Sequence, residues 1–129
     1  MTYDEAWLAQ QLQKPGYAVV GGLPARPLAP EAPEAELQGR IHHLCTHLGL
    51  LYYHATKPKG STPGWPDCVI VFPDGGPLYA WELKRAGAHP SPAQRRWREA
   101  LDRVTHIATG LYTPADWPHL QALLTQRHP

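Results

Sequence analysis

Two carboxylates and an ammonium stand at spacings suited to chemistry. Asp67 closes the run Gly64-Trp65-Pro66-Asp67, and Glu82-Leu83-Lys84 begins fifteen residues after Asp67. Between them lie an apolar run at 68–72, the turn Pro73-Asp74-Gly75-Gly76-Pro77 and a second apolar run at 78–83, the pattern of a β-hairpin. Asp67 then opens one strand as Glu82 closes the other, and antiparallel pairing brings both to one edge. Side chains alternate along a strand, so Glu82 and Lys84 share a face while Trp81 and Leu83 turn the other way, into the protein. Converging acids repel one another and any phosphate unless a cation sits among them. Asp67 and Glu82 together therefore point to Mg²⁺, or Mn²⁺, held through oxygen. Such a cation suits phosphodiester hydrolysis, which needs an in-line water, neutralised phosphate charge and help for the leaving oxygen. Lys84 would orient that water and stabilise the developing charge, because an ammonium is a poor base unless its hold on the proton is strongly weakened. Taken alone, Glu-x-Lys equally describes an ion pair on a solvent-facing strand.

The elements that must position these residues can be read from the flanking pattern. Leu37, Ile41, Leu44 and Leu48 fall at steps of four, three and four, one face of a helix that starts at Glu34 and ends near Gly49. Residues 50–54 read as a strand, and 55–64, rich in Lys, Pro, Gly, Ser and Thr, as a loop leading into Asp67. After the hairpin, Ser91 is placed to cap a helix with Pro92 at its first position, and Trp97, Ala100, Leu101 and Val104 are its expected buried stripe. A strand at 105–112 and a last helix burying Trp117, Leu120 and Leu124 complete the order. This α-β-β-β-α-β-α succession predicts an α/β fold, a mixed sheet flanked by helices. Residues 34–129 form the expected domain and 1–33 an appendage. Within the appendage a short helix is expected at 4–13, and prolines at 24, 27, 30 and 33 have the period of polyproline II, read as a semi-rigid linker.

These parts resemble the PD-(D/E)xK nuclease superfamily and, more narrowly, the virus-type replication and repair nucleases, the VRR-NUC family. The resemblance runs from about residue 34 to 112. It rests on a helix-borne acid in Glu34-Ala35-Glu36-Leu37-Gln38, on Gly-x-Pro-Asp at 64–67, on Glu-x-Lys at 82–84 and on Ser-Pro-x-Gln at 91–94. It implies a restriction-endonuclease-like core and a Mg²⁺- or Mn²⁺-dependent endonuclease cutting branched or structured DNA, working as a homodimer in the manner of Holliday-junction resolvases. The implied metal-facing groups are Glu34, in part through water, Asp67, Glu82 and the main-chain carbonyl of Leu83; Lys84 and Gln94 complete the catalytic set. Glu36 competes with Glu34 for the first role, and either acid is also favoured in a first helical turn by the helix dipole. Gln94 has a competing role too, since Ser91-Pro92-Ala93-Gln94 reads as a capping box.

Composition narrows the partners. The chain has 129 residues, with 12 Lys and Arg against 11 Asp and Glu, so a nucleic-acid surface must come from local clustering rather than overall charge. Lys57 and Lys59 precede the hairpin, while Arg85, Arg95 and Arg96 follow it; these are the expected DNA contacts. Trp65 could stack on a base or simply stiffen a turn. His42, His43, Cys45 and His47 share one helix, but no second ligand pair has the spacing of a zinc site. Cys45 and Cys68 lie in apolar segments and read as buried thiols. No run approaches the ~20 apolar residues of a membrane span, and no signal pattern opens the chain, so a cytoplasmic protein is expected. Two rival functions stand beside the structure-selective nuclease: a DNA-binding module that no longer cuts, and a restriction-type endonuclease, for which so short a chain leaves little room for a recognition domain.

Overall fold

A computed structural model describes residues 18–20, 23–25, 27–55 and 62–126. The helix expected at 4–13 lies outside the described residues. The first elements are two short strands, β1 (Ala18–Val20) and β2 (Leu23–Ala25), paired antiparallel. Pro24 thus sits in a strand opposite Val19 rather than in a continuous polyproline run. A two-stranded ribbon tolerates this because a proline lacking an N–H is accepted wherever the ladder does not need that donor. Leu28 and Ala32 then enter the main core, so residues 28–32 pack on the domain.

Helix α1 (Glu34–Leu48) buries Leu37, Ile41, Leu44 and Cys45, the stripe that its spacing predicts. It stops at Gly49, which takes the left-handed conformation (φ 73°) and donates its N–H back to the Cys45 and Thr46 carbonyls. The chain reverses into β3 (Leu51–His54), followed by β4 (Cys68–Val71) and β5 (Leu78–Leu83). Helix α2 (Pro92–Asp102) crosses over to β6 (Ile107–Tyr112), and a 3₁₀ turn at Pro114–Asp116 leads into α3 (Trp117–Leu124). From Glu34 onward the order is the predicted α-β-β-β-α-β-α. The strands make one mixed sheet, β3-β4-β5-β6, antiparallel except for the parallel β5–β6 pair.

One face of the sheet carries Cys68, Ile70, Tyr79, Trp81 and Leu83, all buried with α1 and with Trp117, Leu120 and Leu124 of α3. Each fully buried large side chain of this kind contributes roughly 1.5–3 kcal/mol, so this layer holds the domain together. Trp81 stacks on Tyr79 and meets Tyr112 edge-on, with centroids 5.1 and 5.3 Å apart. Helix α2 packs on β6. Its expected stripe is not sealed: Trp97 and Leu101 are half-buried, Ala100 is exposed, and Val104, 48% exposed, falls in the turn beyond the helix end. A short helix on a sheet margin shields only the side chains nearest the strands, and the residue buried on α2 is Gln94.

Both cysteines are fully buried. Burial pushes the Cys45 thiol up from 9.0 to about 12 and raises Cys68 further, with added repulsion from Cys45, Asp67 and Glu82. The folded state thus holds these protons more tightly than the unfolded chain does. Their contribution to stability is complete below about pH 9 and is lost as pH rises above it. Thiol titration with a disulfide reagent at pH 8 is expected to find no reactive cysteine in the native protein and two after denaturation. Rapid native reaction of either would contradict this core.

Candidate active site

The register of the hairpin decides what faces what. Cys68 pairs with Trp81 and Val69 with Ala80, so one further step sets Asp67 opposite Glu82. Directly opposed residues in an antiparallel pair project to the same face. That face is the one away from the Trp81 and Leu83 side chains, the α2 side of the sheet. Asp67 is 5% and Glu82 2% exposed, which excludes the solvent-facing ion pair as an account of Glu82. Strand β5 is a central strand covered on both faces, and carboxylates are almost never fully buried without a partner of opposite charge or a metal.

The next step of the register explains the proline. Residues 81 and 83 turn their main-chain polar groups toward β4, and the position opposite Leu83 is Pro66. A proline accepts but cannot donate, so it has no N–H to offer the Leu83 carbonyl. On the donor side of the same residue, the Leu83 N–H donates to a side chain, Asp67 Oδ2, at 2.7 Å in a buried bond. Asp67 therefore has a structural task as well, fixing its carboxylate against the end of β5. N–H and C=O of one strand residue point to the same side, so the Leu83 carbonyl faces the side on which Asp67 lies. Lys84 is half-buried just past the strand, and its own N–H donates to the Tyr112 carbonyl of β6 at 2.9 Å. This bond on one side and the Asp67 bond on the other anchor the Glu-x-Lys backbone.

Around this centre the remaining predicted residues divide. Gln94 is 5% exposed and does form the capping box: its Oε1 accepts from the Ser91 N–H at 2.8 Å, while its own N–H donates to Ser91 Oγ at 3.1 Å. With the oxygen so engaged, the amide nitrogen is the end suited to act as a donor at the site. Glu34, half-buried, opens α1. Glu36 is turned to solvent and pairs with Arg40 at 3.6 Å, which leaves Glu34 as the acid in the more enclosed setting. The N-terminal part of α1 lies at the Asp67 end of the sheet, for Gln38 contacts the His54 ring, whose Nδ1 is 3.0 Å from the Asp67 main-chain oxygen. Among the described residues, no group of three or more His, Cys, Asp or Glu side chains could hold a metal ion. Glu34, on the helix layer rather than the sheet, therefore does not complete a cluster with Asp67 and Glu82. Cys45 of the histidine-rich helix turns into the core, and His42 stacks on Tyr52 with centroids 4.5 Å apart. Arg85, Arg95 and Arg96 are exposed; Lys57 and Lys59 lie outside the described residues.

Two contacts at the site have only a faint signature in sequence. The loop into Asp67 is fastened to α2 by Trp97, whose Nε1 donates to the Pro63 carbonyl at 3.1 Å. Gly64, at φ 93°, lies so close to the helix that a Cβ would stand 2.5 Å from the Ala93 main-chain carbon and oxygen. The glycine of Gly-x-Pro-Asp was the available hint; its partner, thirty residues on, was not readable.

A solved structure titled VRR_NUC domain superposes on this chain with a TM-score of 0.55 and 22% sequence identity. The match covers 67% of this chain and 91% of that one. The fold is that of a VRR_NUC domain. No family model and no curated protein matches the chain, so the VRR_NUC likeness is one of architecture, carried by the mixed sheet and its flanking helices. Within that VRR_NUC fold, the donor set is compatible with a hard divalent cation. It consists of two buried carboxylates, one just before β4 and one at the end of β5, beside a main-chain carbonyl, with no sulfur or imidazole among them. Among the described residues, no helix is long and apolar enough to cross a membrane.

Proposed function

We propose that the protein is a VRR-NUC nuclease that hydrolyses DNA phosphodiesters with Mg²⁺ or Mn²⁺, acting on branched DNA as a homodimer. The observation that carries this reading is the burial of Glu82 opposite Asp67 at the end of a sheet that continues into Lys84. A DNA-binding module has no use for two buried carboxylates, which repel the strand it must hold. Asp67, Glu82 and the Leu83 carbonyl, with Glu34 through water, would hold the cation, which would supply charge neutralisation at the phosphate and an acidified water. Asp67 is kept in place by the Leu83 N–H. Lys84 orients the nucleophile and offsets charge that develops on the phosphate, and the Gln94 amide nitrogen donates toward the same region. Exposed Arg85, Arg95 and Arg96, together with Lys57 and Lys59, serve the DNA backbone, where cations act on affinity rather than on sequence.

The test is cleavage of end-labelled four-way junction, flap and linear duplex DNA by the purified protein in Mg²⁺, Mn²⁺ or EDTA. Cutting of branched substrates that stops in EDTA and in Lys84→Ala is expected. A wild-type protein inert on all three DNAs with either metal would sink the nuclease reading. Discrete fragments from plasmid DNA would replace structure selection by a restriction-type activity.

A further inference from the structure

Trp65 is a large aromatic side chain held in the open, 36% exposed, two residues before Asp67. Its ring meets Trp97 edge-on, with centroids 5.2 Å apart and planes at 81°. Trp97 is fixed in turn by its bond to the Pro63 carbonyl, and Gly64 allows the loop to lie directly against α2, with Trp97 Cδ1 only 2.8 Å from where a Cβ would be. The two indoles thus form a stiff unit with aromatic surface facing solvent. Trp97 also lines a groove of about 450 Å³ with Pro63, Ala93, Arg96 and Ala100. Arg96 brings a guanidinium to that groove, and exposed Arg95 adjoins it. Flat apolar rings beside a cation, next to a phosphodiester-cleaving centre, have the chemistry that takes a nucleobase and its phosphate together.

We propose that Trp65, Trp97 and Arg96 form a docking site for an unpaired nucleobase of the DNA strand presented to Asp67 and Glu82. This rests on the nuclease reading above and adds its basis of selection. A base within an intact duplex has both faces covered by its neighbours, so only one at a branch, flap or bulge can stack on the indole. Preference for branched DNA is then a property of the aromatic pair rather than of the carboxylates.

The test is an equilibrium titration with two duplexes of one sequence, one fully paired and one carrying a single unpaired 2-aminopurine. Both are measured on the full chain in a Glu82→Gln background, which removes cleavage and one source of phosphate repulsion. Trp65→Ala is expected to weaken binding of the bulged duplex about tenfold, to leave the paired duplex within about twofold, and to abolish quenching of the 2-aminopurine emission. Trp65→Phe, which keeps a ring, is expected to recover most of the loss. Equal weakening of both duplexes, or no weakening, overturns the proposal, as does quenching that persists in Trp65→Ala. Failure of the background protein to bind any DNA overturns the nuclease reading with it. Cleavage of branched DNA by the wild-type chain, with no selective effect of Trp65→Ala, overturns this proposal alone.

Discussion

Glu82→Gln is expected to abolish cleavage while leaving the protein at least as stable as before. The substitution keeps the shape of a side chain that is 2% exposed and removes only its charge. In the metal-free protein the side chain faces a second buried carboxylate, Asp67, and any charge carried at that depth costs free energy. Neutralising it should hold or raise the melting temperature measured in EDTA. With metal the sign reverses, because a ligand that binds only the folded state stabilises it. Mn²⁺ should raise the melting temperature of the wild type and not that of Glu82→Gln. Loss of the metal's charge stabilisation, worth several kcal/mol, corresponds to a fall in rate of at least about 10³-fold. Lys84→Ala separates the two functions: it should keep the metal-dependent shift and lose cleavage. A Glu82→Gln protein that still cut DNA and still gained stability from Mn²⁺ would remove Glu82 from the site.

Gly64→Ala is expected to be the most damaging small substitution in the domain. Two independent costs coincide at this position. The backbone has φ 93°, a conformation that L side chains rarely adopt, at roughly 1–3 kcal/mol for such strain. The new methyl would also stand 2.5 Å from the Ala93 main chain. That neighbour is helical backbone and cannot turn aside as a flexible side chain would, so overpacking adds roughly 1–3 kcal/mol. A total loss of about 2–6 kcal/mol in urea unfolding is expected, accompanied by loss of cleavage because the displaced loop carries Asp67. Unchanged stability would mean that the loop does not rest on α2.

How much of this was legible in the chain depended on range. Local periodicity was reliable: Leu37, Ile41 and Leu44 are buried as their spacing requires, and the Pro-Asp-Gly-Gly-Pro turn fixes a hairpin whose register faces Asp67 to Glu82. The capping box at Ser91 and Gln94 was equally readable, because all its atoms lie within one turn. Depth of burial was not. The apolar stripe of α2 identifies a face but not how much of it a neighbour covers, and Ala100 and Val104 remain exposed. Glu82 shows the opposite, a charge whose sequence context fits a surface strand and whose place in a central strand buries it. The fastening of the loop by Trp97 and the entry of Leu28 and Ala32 into the core are contacts between distant positions, for which sequence spacing carries no signal. The same holds for the two acids of the first helical turn: Glu34 and Glu36 differ by two positions, and only the fold shows Glu34 half-buried and Glu36 exposed beside Arg40.

Pro66 opposite Leu83 gives the sheet a chemically defined end. For want of a hydrogen atom the proline offers the Leu83 carbonyl no donor, and the adjoining carboxylate accepts from the Leu83 N–H. The boundary between architecture and reactivity is accordingly one residue wide, and it cannot drift along the strand: sliding β4 by a single position would restore a donor where the proline stands and turn Asp67 to the opposite face. The centre therefore takes its rigidity from the sheet itself, and variation around it is confined to the loops and helix that lean over that fixed rung.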